Sequence, residues 1–235
     1  MSKTKLYSFN QMKRFNLLTS AFAILITFIA GLFFSSCSND DETNINDRKP
    51  EGVVAIDLGL PSGTKWASCN VGATKPEEYG GYYAWGDTDE REVYNWRSYI
   101  HCDGSQETCH DLGSDISGTN YDVAHVKWGG NWRMPTYDNM KELLDICTSE
   151  WTTLNGVNGR KFTSKINGNS IFLPAAGYGG DDDLGNAGLY GYYWLSTQEP
   201  DGSSGADVFD FYSDAYFFFY GSRVLGLSVR PVARN

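Results

Sequence analysis

Residues 206–222 read Ala206-Asp207-Val208-Phe209-Asp210-Phe211-Tyr212-Ser213-Asp214-Ala215-Tyr216-Phe217-Phe218-Phe219-Tyr220-Gly221-Ser222. Two aromatic-rich runs, Val208–Tyr212 and Ala215–Tyr220, flank the polar pair Ser213-Asp214. Short runs of this composition on either side of turn-forming residues predict a β-hairpin. Successive side chains of a strand point to opposite faces. If Tyr216 and Phe218 face a core, then Phe217 and Phe219 point away from it. Either a second layer covers them, or they form an exposed aromatic patch of the kind that marks an interaction site. Residues 188–230 hold twelve of the chain's 35 aromatic residues, so this region dominates the surface question.

Working outward, Tyr192–Thr197 and Ile171–Ala176 read as strands, and Leu227–Val232 reads as a closing strand. Thr136–Cys147 is the clearest helix. Met140, Leu143, Leu144 and Cys147 form one apolar stripe at helical spacing, and Thr136 stands where a cap belongs. Asp122–Lys127 predicts a second, short helix. Val53–Leu58 and Thr64–Val71 predict an early strand pair around Leu60-Pro61-Ser62-Gly63, with Trp66 and Cys69 inward. Tyr82–Trp85 is a short aromatic strand or packed loop, and residues 87–121 are polar and loop-like. The pattern is α+β: short antiparallel strands, one or two helices and long loops. Residues 51–235 are enough for a single domain with one sizeable core.

The first fifty residues have a different character. Lys3, Lys5, Lys13 and Arg14 precede an apolar run from Leu17 to Phe34, which ends at Ser35-Ser36-Cys37. Basic, apolar and small-residue zones in that order predict a signal peptide over residues 1–36. The Cys that closes the apolar run favours lipid attachment at Cys37 over a transmembrane anchor. Ser38-Asn39-Asp40-Asp41-Glu42 resembles the acidic signal that sends Bacteroidota lipoproteins to the outer face of the outer membrane. Residues 37–50 have the composition of a flexible tether. The expected location is therefore the outer membrane, lipid-anchored and surface-exposed.

The leader holds four of the 19 basic residues and none of the 29 acidic ones, so the remainder carries 15 against 29, a net charge of −14. Such a balance excludes nucleic acid as a partner, because phosphates demand a basic face. With Cys37 lipidated, Cys69, Cys102, Cys109 and Cys147 remain. An even number in an exported chain predicts two disulfides. Three pairings are possible. Nearness within a polar loop favours Cys102–Cys109, with Cys69–Cys147 tying an early strand to a helix.

Six segments, in order, resemble the Fibrobacter succinogenes major paralogous domain family. They are Asp57–Thr64 with Trp66-Ala67, Tyr83–Thr88, Trp128–Thr136, Phe172–Gly177, Tyr193-Trp194 and Ser228–Val232. The resemblance implies a C-type lectin-like fold, related to formylglycine-generating-enzyme-like domains, in which the first and last strands pair and long loops crown one face. It also implies that scaffold positions Ala206, Phe209, Phe211, Ser213, Arg223, Gly226 and Ser228 are interleaved with ligand-facing ones. The candidates for ligand contact are Asp210, Tyr212, Asp214, Phe217, Phe219, Tyr220, Ser222, Val224 and Leu225. The implied function is recognition of a glycan or a protein ligand by an adhesin or accessory binding protein. The alternatives are a structural or assembly component of the envelope or a pilus and, last, a polysaccharide hydrolase.

Other chemistry is poorly supported. His101-Cys102 and Cys109-His110 have zinc-ligand types, but an exported chain favours the disulfide. Glu199-Pro200-Asp201 resembles a lectin calcium triplet, yet the downstream Trp-Asn-Asp element is absent. No G-x-S-x-G stands in the chain, and His101, His110 and His125 form no triad motif. His125 and Arg230 read as buried, hydrogen-bonded groups, and Trp128 and Trp132 as structural. No Cys follows Cys147, so formylglycine-generating chemistry is unsupported. The expectation is a binding protein, not an enzyme, without metal or cofactor.

Overall fold

The computed structural model describes residues 48–181, 184–200, 202 and 204–234. The expected signal peptide, Cys37, the acidic run and residues 43–47 of the expected tether lie outside the described residues, as do Asp182, Asp183 and Asp201. In chain order the elements are β1 (Ala55–Asp57), β2 (Lys65–Ala67), α1 (Val123–Trp128), β3 (Trp132–Arg133), α2 (Tyr137–Ile146), β4 (Cys147–Leu154), β5 (Val157–Ser164), β6 (Ser170–Pro174), β7 (Tyr178–Gly179), β8 (Leu184–Gly185), β9 (Gly191–Gln198), β10 (Gly205–Phe211), β11 (Tyr216–Ser222) and β12 (Val232–Ala233). The strands form small antiparallel sheets ordered β1-β2-β12-β3, β4-β5-β6 and β9-β10-β11, with β7 and β8 as a separate pair. Sheet-rich α+β architecture with two helices is what the residue patterns predict. The first and last strands share a sheet, but β2 stands between them.

Both helices begin where their caps dictate. The Thr136 hydroxyl accepts a hydrogen bond from the Asn139 backbone N–H at 3.2 Å and starts α2. Asp122 starts α1 by accepting from Ala124 at 2.9 Å and His125 at 3.0 Å. Its second oxygen takes the N–H groups of Gly118 and Met134, both at 2.8 Å. One buried carboxylate thus satisfies four backbone donors and fastens the Trp128–Thr136 segment to the preceding loop. Buried Trp128 and Trp132 meet edge to face at 5.2 Å, as structural residues do.

The expectations place no strand between Cys147 and Ile171, and the structure has two. β4 and β5 pair from Cys147↔Ser164 to Leu154↔Val157. The loop that joins them is Asn155-Gly156, with φ of 49° and 86°. Positive φ at both loop residues is the turn geometry whose twist matches a hairpin, and Asn-Gly is its strongest sequence sign. Conversely, Leu227–Val232 is not a full strand. Only Val232 joins the ladder, while Ser228 bridges to Tyr193.

The core is organised around β9 and β10. One buried cluster holds Trp194, Ala206, Val208, Val229 and Trp85; a second holds Tyr193, Leu195, Phe209, Phe211 and Trp66. Period-2 alternation sends odd and even residues of the same strands into different clusters. The same rule corrects the expected Cys69–Cys147 disulfide. Both are free thiols. Trp66 belongs to the second cluster, whereas Ala67, Cys69 and Val71 belong to the first; Cys147 lies in the second. The Cys69 thiol donates instead to the Ala73 carbonyl at 3.2 Å. Burial pushes both thiols up in pKa. The other expected disulfide, Cys102–Cys109, is present.

Two fully buried guanidinium groups hold loops to sheets. Arg230 donates to Asn70 at 2.8 Å and to the Ala67 and Phe172 carbonyls at 3.1 and 2.8 Å. Arg223 stacks over Trp85 at 4.7 Å and donates to the Tyr99 hydroxyl at 2.8 Å. His125, expected to be buried, is only half-buried: it begins the half-buried stretch His125–Lys127, while Val123, Ala124 and Trp128 take the buried side of α1.

Candidate ligand-binding face

The decisive hairpin forms as expected. β10 and β11 pair in unbroken register from Gly205↔Ser222 to Phe211↔Tyr216, and Ser213-Asp214 sits at the tip. β9 flanks β10 on the other side, leaving β11 as an edge strand. Tyr216, Phe217, Phe219 and Tyr220 are 42%, 51%, 41% and 50% exposed. Among the described residues no second layer covers these four side chains. Tyr216 shares the parity of Phe218. It lies on the Phe209 face, with ring centroids 5.9 Å apart, but at the margin of the core. Phe218 is half-buried between Phe209 and Tyr137, at 5.4 and 4.7 Å.

Register sorts the nine candidate residues. Asp210 stands opposite Tyr192 of β9 and Phe217 of β11; Val208, two residues along, stands opposite Trp194 and Phe219. Asp210, Tyr212, Phe217 and Phe219 therefore share one face. Leu225 joins it through a small apolar cavity of about 160 Å³, bounded by Tyr178, Tyr192, Val208, Phe219, Gly221, Leu225 and Leu227. Tyr220 and Ser222 alternate to the other face. Asp214 is exposed at the hairpin tip. Val224 is buried against Tyr99 and Tyr94, so it is a core residue.

The face includes residues that pattern reading missed. Tyr178, Tyr192, Tyr190, Tyr212 and Phe217 form a continuous chain of ring contacts, with successive centroids 5.7, 5.8, 5.3 and 6.0 Å apart. This arc runs from one side of Asp210 to the other. The signal was Tyr190-Gly191-Tyr192: a glycine leaves room on β9 for the Phe211 ring while its neighbours point outward. Alternation then pairs Tyr190 with Tyr192 on the exposed face.

Asp210 is the polar group of the arc. Its Oδ1 is buried and has no hydrogen-bond partner among the described residues. Burial pushes its carboxyl pKa up to about 6. An unpaired, partly desolvated carboxylate opposes folding, so this group is held at a cost to stability. Asp207 on the same strand is also pushed up to about 6 by burial. Register places it opposite Tyr220, on the reverse face, so the two carboxylates do not address one substrate.

The hairpin tip is braced from below. Arg160 of β5 donates to the carbonyls of Tyr212, Ser213 and Ala215 at 2.7, 3.3 and 3.3 Å. Its guanidinium also lies 5.8 Å from the Tyr216 ring centroid. The aromatic arc is thus carried on a held turn.

Three larger clefts occur among the described residues; that of about 470 Å³ shares Tyr178 and Leu225 with the face, and the other two lie elsewhere. In the cleft of about 580 Å³ that includes Ser62, Asn139 and Glu142, Glu142 accepts from Ser62 at 2.6 Å and Asn139 is engaged with Thr136. In the cleft of about 410 Å³ beside β4, Glu150 and Lys161 face each other in register. The zinc arrangement considered for residues 101–110 does not form. The cysteine sulfurs are joined, His101 lies 3.3 Å from Asp87, and His110 lies 3.6 Å from Asp103.

No helix among the described residues is long and apolar enough to cross a membrane. No known protein family, curated protein or solved structure matches this chain.

Proposed function

We propose that this chain is a lipid-anchored protein on the outer face of a Bacteroidota outer membrane, and that its globular part is a ligand-binding domain of C-type lectin-like type. The ordered motifs that resemble the Fibrobacter succinogenes major paralogous domain family support the fold reading, together with the sheet-rich α+β architecture. The N-terminal sequence supports the anchor at Cys37. The ligand is a glycan or a protein, and the protein binds it without chemical conversion.

One observation carries the binding reading: an arc of five aromatic rings, Phe217 exposed and the other four half-buried, around a carboxylate whose Oδ1 has no partner among the described residues, all on or beside one sheet. Aromatic rings offer large contact area at low entropic cost, and a rigid sheet presents them without reorganisation. The test is binding of residues 42–235, which form one compact unit, to glycan and host-protein arrays with and without Ca²⁺. A variant with Tyr212, Phe217 and Phe219 changed to Ala serves as control. Binding by the parent, lost in a folded variant, is the expected result. Binding that survives in the variant places the site elsewhere.

A second reading rests on the edge position of β11. A seven-residue edge strand without a charged residue is a template for pairing with another chain. A structural or assembly role would then follow, and concentration-dependent self-association abolished by Phe217→Lys would favour it.

A further inference from the structure

The groups that face the arc share one electronic character. Aromatic ring faces carry partial negative charge, and an ionised carboxylate only accepts hydrogen bonds. The donors among these side chains are the uncharged phenolic hydroxyls; that of Tyr192 also accepts from the Asn186 amide at 3.2 Å. Arg160 is engaged with the carbonyls of the hairpin tip. Arg223 is buried against Trp85 and Tyr99. Burial alone acts on the Asp210 carboxyl, with no contribution from a neighbouring cation.

We propose that the arc around Asp210 binds the primary ammonium of a lysine side chain presented by a protein partner. This rests on the reading of the same face as the ligand site and selects the protein over the glycan.

Three features favour that ligand. A cation within about 6 Å of a ring centroid is attracted by the ring face, the more so when desolvated. Tyr192 and Phe217 flank Asp210 directly across the sheet, and Tyr190 and Tyr212 link them around its end. Next, the buried Oδ1 needs an N–H donor. A primary ammonium supplies three donors together with a full positive charge, whereas a quaternary ammonium has no donor and a neutral sugar has hydroxyl donors but no charge. Finally, the cavity of about 160 Å³ beside Val208, Phe219 and Leu225 suits an apolar alkyl stem. The net charge of −14 left after residue 36 also steers basic partners toward the chain.

The test is a titration of ¹⁵N-labelled residues 42–235, followed by NMR, with blocked peptides that differ in one side chain: lysine, norleucine or trimethyllysine. The lysine peptide is expected to shift the amides of Tyr192, Asp210 and Phe217. Norleucine, which keeps the stem and lacks the charge, is expected to bind at least tenfold more weakly, and trimethyllysine more weakly than lysine. Asp210→Asn is expected to weaken lysine binding at least tenfold while its spectrum stays that of the folded chain. Equal affinity for norleucine, an unchanged affinity in Asp210→Asn, or shifts confined to another region overturns the proposal. Trimethyllysine matching lysine overturns the primary-ammonium assignment. The wider reading is separable: a chain that ignores lysine but loses its array ligand when Tyr212, Phe217 and Phe219 are removed keeps the binding face and loses the cation.

Discussion

Two hairpins of similar length meet solvent in opposite ways. In the β4–β5 hairpin the edge strand shows Thr148, Glu150 and Thr153 to water. In the β10–β11 hairpin the edge strand shows Tyr216, Phe217, Phe219 and Tyr220. Polar and charged residues on an edge discourage pairing with other chains, and uncharged aromatic ones do not. Both hairpins have a closely packed inner side, where Phe162 and Phe209 meet at 6.2 Å. The difference is confined to the exposed side, where folding makes no demand for aromatic rings. Their presence there is a property of the surface, and with Asp210 it is the strongest physical argument for binding.

Several variants would break or sharpen that contrast. The largest effect is expected inside. Phe209→Ala should cost roughly 3–5 kcal/mol in urea unfolding, whereas Phe217→Ala should stay within about 0.5 kcal/mol. Comparable losses for both would mean that the outer rings are core, and the binding face would fall.

Arg160→Met tests whether the first hairpin holds the second in place. It frees three carbonyls at the tip, and a loss of about 2 kcal/mol is expected. Hydrogen exchange should quicken at Ala215 and its neighbours while β4 stays protected. Uniform loosening of both hairpins would contradict a local brace.

The two turns should respond differently. Gly156→Ala forces a side chain to φ of 86° and should cost about 1 kcal/mol. Neither Ser213 nor Asp214 has positive φ, so alanine at either should change stability by less than about 0.5 kcal/mol.

One effect has the opposite sign. The Asp210 carboxyl is raised from 3.8 to about 6 in the folded chain. Between those values the folded chain binds more protons than the unfolded one, so stability falls as pH rises through that window and levels off above it. Asp207 contributes in the same direction. Around Asp210, Tyr192 stays neutral throughout, since burial raises its pKa. Asp210→Asn should therefore stabilise the protein at pH 7 and have no such benefit at pH 3.5. Thermal melts at the two values check this, and destabilisation at pH 7 would mean that Asp210 has an unseen partner.

Legibility varied with the range of the interactions involved. The helix from Tyr137 to Ile146 and the hairpin around Ser213-Asp214 could be read because a cap, a periodicity or a turn pair acts within a few residues. By that standard β4–β5 is legible too, through Asn155-Gly156. The site was half legible. Asp210, Tyr212, Phe217 and Phe219 follow from alternation along one hairpin. Tyr178 and Tyr190 reach the arc only because separate segments fold beside it. Val224 looked like a surface residue until the chain after β11 turned inward against Tyr99.

The sequence by itself determined the α+β class, the caps at Asp122 and Thr136, the Cys102–Cys109 pair and the aromatic hairpin, because each depends on groups that are neighbours along the chain. Only the tertiary structure decided that Cys69 and Cys147 belong to different clusters, that β11 has no strand beyond it among the described residues, and that Asp210 stands partly desolvated within an arc of rings. Burial and edge position are set by which distant segments pack together, and no local pattern of residues contains that information.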